Sequence, residues 1–199
     1  MLVIGITGGI GSGKSLVVKL LTEHFAVAAI DTDTLAKELM KKGRASYNRV
    51  VEHFGTELLQ ADGEIDRERL SKLVFADQAK LALLNSLTHP AVHEEVLSLI
   101  RKYRESGRYQ AVLVETALLI EAGYQSFCDE IWYVHAKEEV RRARLKESRG
   151  YSDEKIDSIF AKQKSEEEFY RYATWIIENN AGEEEVLREL KQVMSAKCP

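Results

Sequence analysis

Near the start of the chain a lysine and a serine follow a run of glycines: Gly8-Gly9-Ile10-Gly11-Ser12-Gly13-Lys14-Ser15. The run fits G-x-x-x-x-G-K-[ST], the pattern of a phosphate-binding loop. Glycines let backbone N–H groups turn inward around an oligophosphate without side-chain clashes. Lys14 supplies a mobile positive charge for the outer phosphates, and the Ser15 hydroxyl is of the right kind to ligate magnesium. A helix starting near Lys14 would aim its free N–H groups and the positive end of its dipole at the same anion. The chemistry indicated is the holding of a nucleoside triphosphate.

Two further places carry carboxylates. In Ile30-Asp31-Thr32-Asp33 the acids leave the end of an apolar run. Read alone, Asp33 or Thr32 would cap the next helix by accepting hydrogen bonds from its first N–H groups. Beside a phosphate loop, the same carboxylate can orient an acceptor oxygen toward the γ-phosphate and take its proton. In Val112-Leu113-Val114-Glu115 an acid again ends an apolar run. It stands where a second handle on magnesium, acting through water, would be. A carboxylate that merely solubilises a strand end reads the same way.

The elements that position these residues follow from the hydrophobic pattern. Short apolar runs at 2–6, 26–30, 111–114, 131–135 and 174–177 read as strands, separated by helical patterns. Alternation of this kind predicts an α/β fold, a five-stranded, mainly parallel sheet covered on both faces. The stretch between the second and third strands is about eighty residues long and reads as helical, with turns at Gly43, Gly55, Asp62-Gly63 and His89-Pro90. Such a helical insert can form a substrate-binding subdomain or be extra packing. Residues 137–170 are densely charged and helical. Lys137, Arg141, Arg142, Arg144, Lys146 and Arg149 are interleaved with Glu138, Glu139 and Glu147. They form either a solvated face or an arginine-bearing lid over phosphates.

Composition bounds the function. The 28 basic and 32 acidic residues give a net charge of −4, which offers no argument for nucleic acid. Cys128 and Cys198 lie far apart, outside any metal-binding spacing, and suit a reducing cytoplasm. The apolar start is too short for a signal peptide, and no run is long enough to span a membrane. The expectation is a cytoplasmic protein, with a monomer favoured.

With these residues placed, the chain resembles the dephospho-coenzyme A kinase family over nearly its full length. The resemblance rests on the opening Ile4 to Ser15, Ile30 to Asp33, Asp66-Arg67 with Leu70 and Phe75, Leu87-Thr88-His89-Pro90-Ala91-Val92, Leu118-Leu119-Ile120-Glu121, Arg144-Leu145, Gln163 and Ile177-Glu178-Asn179. It implies ATP-dependent phosphorylation of the ribose 3′-hydroxyl of dephospho-coenzyme A, with Mg2+, as the last step of coenzyme A synthesis. It also implies a three-layer α/β/α fold of the P-loop type in one domain. The nucleotide core would be 1–35, 108–136 and 171–199, the substrate-binding insert 36–107 and the lid 137–170.

Residue by residue, the resemblance makes Asp33 the base, with Lys14 and Arg144 acting on the transferring phosphate. ATP would be held by Gly8, Gly9, Gly11, Ser12, Gly13, Lys14, Ser15, Leu16, Arg144 and Asn179, the last beside the adenine. The acceptor would meet Asp33, Arg67, His89, Leu118, Leu119 and Glu121. Magnesium would sit on Ser15, with Glu115 reaching it through water.

Departures from the family pattern are local. Leu16 stands where a threonine is common, and Glu115-Thr116-Ala117-Leu118-Leu119-Ile120-Glu121 lacks the usual proline and aromatic. Ser148 occupies the place of a second lid arginine. Arg149 comes one residue later, a ~100° step on a helix, and reaches the site if the helix ends at Gly150. Within enzymes the alternative is another P-loop kinase, with a nucleoside, nucleoside monophosphate or shikimate acceptor. A regulatory GTPase would need an Asn-Lys-x-Asp run, and the nearest segment, Asn179-Asn180-Ala181-Gly182, lacks the acid. A binder without turnover has no need of Asp33.

Overall fold

The first apolar run forms β1 (Leu2–Thr7), buried from Val3 onward because it has neighbours on both sides and helices on both faces. The computed structural model describes residues 1–197; Cys198 and Pro199 lie outside the described residues. The other strands are β2 (Val27–Asp31), β3 (Ala111–Glu115), β4 (Glu130–His135) and β5 (Trp175–Glu178). They make one five-stranded sheet in the order β2-β3-β1-β4-β5. β1 pairs in parallel with β3 (Ile4 opposite Leu113) and with β4 (Ile6 opposite Trp132), and β4 pairs in parallel with β5 (Val134 opposite Ile177).

Each strand lies within one or two residues of its expected place. β5 starts at Trp175 because Thr174 anchors it, donating its N–H to the Ile131 carbonyl at 2.8 Å and accepting the Ile131 N–H on its hydroxyl at 3.0 Å.

Helix α1 (Lys14–His24) follows the glycine-rich loop and buries Val17, Leu20 and Leu21 against the sheet. On the same core packs α9 (Glu183–Lys197), through Val186, Leu190, Val193 and Met194. Its first turn carries Glu183, Glu184 and Glu185, a favourable charge at a helix N-terminus. β5 is the last strand of the sheet, and Glu189 of α9 sits on it. One carboxylate oxygen accepts the Trp175 indole N–H at 3.2 Å, and the other accepts the Glu178 backbone N–H at 3.3 Å. The charged stretch becomes α6 (Glu138–Arg149), α7 (Asp153–Phe160) and α8 (Glu166–Tyr172).

The chain forms two compact units. One is Met1–Ile30 together with the chain from Lys102 onward, and the other is Asp31–Arg101. The second unit holds α2 (Thr32–Leu39), α3 (Tyr47–Phe54), α4 (Arg67–Phe75) and most of α5 (Gln78–Ser106). Its own core gathers Tyr47, Val50, Phe54, Leu58, Ile65, Leu70 and Val74.

One expected turn is absent. At His89-Pro90 the chain does not bend out of the helix; Pro90 lies inside α5. A proline in a helix interior lacks the N–H for residue i−4 and costs about 3 kcal/mol. Here Thr88, Val92, Val96 and Ile100, four residues apart, form a buried stripe along α5, and burial of that stripe outweighs the lost hydrogen bond.

Candidate active site

The glycine-rich loop runs from the end of β1 to Lys14. Gly13 is left-handed (φ 94°, ψ 29°) and serves as the N-cap of α1, its carbonyl accepting the N–H groups of Leu16 and Val17 at 3.0 and 3.2 Å. A side chain at Gly13 would be strained by that φ and would collide with the Asn179 amide. Lys14 Nζ lies over the loop, donating to the Gly8 carbonyl at 2.7 Å and to that of Gly9 at 3.4 Å.

Asn179, just past β5, is fully buried. Its amide donates to the Ser12 carbonyl at 2.8 Å and accepts Arg144 Nη2 at 3.2 Å. Arg144 also donates Nη2 to the Asn179 carbonyl at 3.0 Å, and Nη1 to the carbonyls of Gly11 and Ser12, each at 3.3 Å. The α6 arginine thus joins the loop to the segment after β5.

Lys14, Ser15, Arg144, Ser148 and Arg149 line one cleft of about 360 Å³. Arg149 belongs to it because α6 ends there. Gly150 adopts the left-handed conformation (φ 62°, ψ 28°) and donates its N–H to the Lys146 carbonyl at 3.0 Å, closing the helix. Three cationic side chains and the start of a helix thus set positive charge around one cleft, surroundings that favour an anion.

Ser15, exposed in the cleft, donates its hydroxyl to Glu115 Oε1 at 3.0 Å. The ends of α1 and β3 therefore bring one hydroxyl and one carboxylate together. These hard oxygens fit Mg2+, which is commonly held by one or two protein groups, waters and substrate phosphates. Among the described residues no group of three His, Cys, Asp or Glu is placed to hold a metal.

In the second unit, capping of α2 falls to Asp31, not to Asp33 or Thr32. Asp31 Oδ1 accepts the N–H groups of Asp33 and Thr34 at 2.9 and 3.1 Å, and its Oδ2 accepts the Thr34 hydroxyl at 2.6 Å. Thr32 is buried, and the Asp33 side chain stays exposed in the first turn. Arg67, the first residue of α4, donates Nη2 to the Lys37 carbonyl at 3.1 Å. His89 is half-buried in α5, and burial pushes its pKa below the ordinary value.

The remaining candidates lie in the first unit, after β3. Leu118 is exposed, whereas Leu119 is fully buried. Leu119 packs so tightly under Gly5 that a Cβ there would overlap it. Glu121 is exposed and faces Lys164 at 3.9 Å. Nearby, Cys128 is held as a neutral thiol, its pKa pushed up to about 12 by burial and by Asp129.

One residue of the loop's surroundings stands in the sequence only as a member of the charged run at 137–170. Arg141 lies against Gly9 and Ile10, while Arg142 lies in a solvated network with Glu138, Asp153 and Asp157. A helical-wheel signal separates them: residues 141 and 144 are three apart and share a face, and 142 is ~100° away from 141.

The family model for CoaE, dephospho-CoA kinase, matches residues 2–185. A dephospho-CoA kinase of Bacillus cereus is 40% identical over 178 residues, covering 89% of this chain and 88% of its own. One from Carboxydothermus hydrogenoformans is 37% identical over 193 residues, covering 96% and 92%. The crystal structure of a Thermus thermophilus protein superposes with a TM-score of 0.81 at 31% identity, covering 98% of this chain and 97% of that one. With its phosphate loop, parallel sheet and near-complete coverage by these relatives, the chain belongs to the dephospho-CoA kinase family.

Proposed function

We propose that this chain transfers the γ-phosphoryl group of ATP to the ribose 3′-hydroxyl of dephospho-coenzyme A, giving coenzyme A and ADP in the last step of coenzyme A synthesis. The observation that carries the reading is the family match over residues 2–185. The cationic cleft at the glycine loop supports it as a triphosphate site.

In this reading the loop amides and Lys14 grip the β- and γ-phosphates. Ser15, with Glu115 acting through water, would hold Mg2+, which would supply positive charge against the phosphates when bound. Asp33 accepts the proton of the 3′-hydroxyl as its oxygen bonds to the γ-phosphorus, and the bond to the β-phosphate oxygen breaks to release ADP. Asp33 suits the task because Asp31 already caps α2, leaving the Asp33 carboxylate exposed. Its position two residues beyond β2 is typical of α/β ligand sites.

Arg144 and Arg149 stabilise the transferring phosphate, and the segment at Asn179 lies by the adenine. Arg67, His89, Leu118 and Glu121 receive the acceptor, while the neighbouring Leu119 is buried against Gly5 and supports that segment from the core. Residues 36–107 form the acceptor-binding insert and 137–170 the lid. The protein works in the cytoplasm as a monomer.

The test is an ADP-release assay with Mg2+ and ATP across a panel of acceptors. Dephospho-coenzyme A should be turned over far faster than nucleoside monophosphates or shikimate. Turnover of a nucleoside monophosphate with none of dephospho-coenzyme A would overturn the assignment.

A further inference from the structure

A loop that turns its N–H groups toward a phosphate turns carbonyls the other way, and those need donors of their own. The loop carbonyls can be followed one by one. Gly8 and Gly9 accept Lys14 Nζ, Gly9 also accepts the Ser12 N–H, Gly11 accepts Arg144, and Ser12 accepts Arg144 and Asn179. Gly13 accepts the N–H groups of Leu16 and Val17 in α1. That leaves Ile10, and its carbonyl accepts Arg141 Nε at 2.9 Å.

Arg141 does more than fill that place. Its guanidinium lies against Gly9, where a Cβ would stand 2.5 Å from Nη2. On its other side the guanidinium carbon is 4.3 Å from the centroid of the Phe160 ring at the end of α7. Nη2 donates to Gln163 Oε1 at 2.5 Å. One half-buried side chain of α6 therefore holds the loop, the end of α7 and the segment leading into α8.

We propose that Arg141 is a positioning residue for the nucleotide: it fixes Gly9 and Ile10 with their N–H groups toward the triphosphate and sets a positive charge behind the loop. The proposal rests on the kinase reading above. Arg142, its neighbour on α6, is the control, because it has the same charge and helix, its hydrogen bonds go to the exposed carboxylates of Glu138, Asp153 and Asp157, and it touches no loop carbonyl, although it too faces the Phe160 ring, at 5.6 Å.

The experiment measures KM for ATP, kcat and the melting temperature of the full chain, with dephospho-coenzyme A as acceptor. Arg141→Gln should raise KM for ATP about tenfold, the scale of a lost charge-assisted hydrogen bond, and leave kcat within about threefold. Arg141→Lys, which keeps the charge and loses the planar fork, should fall between Gln and wild type. Arg142→Ala should leave KM within about twofold, as expected of an exposed ion pair. A KM for ATP in Arg141→Gln equal to wild type, or a rise matched in Arg142→Ala, overturns the proposal. If Arg141→Gln melts below the assay temperature, Arg141→Lys carries the test, and an unchanged KM in that folded variant overturns it. If the wild type fails to phosphorylate dephospho-coenzyme A, the kinase reading falls. ATP affinity by equilibrium dialysis then decides the Arg141 proposal by itself.

Discussion

Asn179 is fully buried and uses both ends of its amide on neighbours, while Asp33 carries an exposed carboxylate in the first turn of a helix that another residue caps. The contrast extends to their regions. Around the glycine loop every carbonyl from Gly8 to Gly13 has a donor, and two arginines and an asparagine hold its shape. In the second unit Arg67 is exposed on α4, and His89 is only half-buried. A preorganised cradle suits a ligand whose charge must be met by fixed dipoles. Exposed side chains on helices suit a partner that supplies part of the order when it binds.

Three measurements can break or sharpen that contrast. The largest effect is expected from Asp33→Asn, which should lower kcat by about 10²–10⁴, the usual scale for loss of a general base. KM for ATP should stay near wild type; a collapse of ATP affinity instead would put Asp33 with the preorganised half. Next is Asn179→Ala. It leaves the Ser12 carbonyl and Arg144 each short of a partner, a cost of about 1–3 kcal/mol. In a chain of this size that lowers the melting temperature by roughly 2–12 °C, with a parallel rise in KM for ATP. A variant that melts normally would show that the cradle does not depend on this amide.

The smallest effect concerns His89. Burial lowers its pKa in the fold, so below the ordinary histidine value of about 6.5 the unfolded chain binds a proton that the folded chain resists. Its contribution is present above that pH and is lost as pH falls toward the lower folded value. Urea midpoints at pH 7.5 and 5.5 should therefore drop further for wild type than for His89→Gln. Equal drops would mean that His89 is as open to solvent as Arg67.

Much of the cradle was legible because its chemistry is local in sequence. The pattern from Gly8 to Ser15 states the loop, the lysine and the hydroxyl in eight consecutive residues, and the strand and helix around it follow from apolar spacing. Arg149 too was legible, since Gly150 announces the end of α6.

What the sequence hid depends on contacts distant along the chain. Arg141 and Arg142 are adjacent and alike; helical spacing puts Arg141 on the face of Arg144, but that this face meets Ile10 while Arg142 meets Asp157 is set by the fold. At Pro90 a local rule predicted a turn, and a buried stripe assembled over three turns of helix overrode it. At Asp31 and Asp33 the residue types were right for capping, yet the choice between them turned on where β2 ends, a boundary that composition does not mark.

Glu189 has a consequence unrelated to chemistry at the cleft. The last strand of a sheet is a template on which a stray chain can pair. On β5 one carboxylate from α9 occupies a backbone donor and ties down the neighbouring indole. That helix therefore also covers part of the open edge, so replacing Glu189, a side chain that does not line the cleft, should make concentrated protein more prone to aggregate.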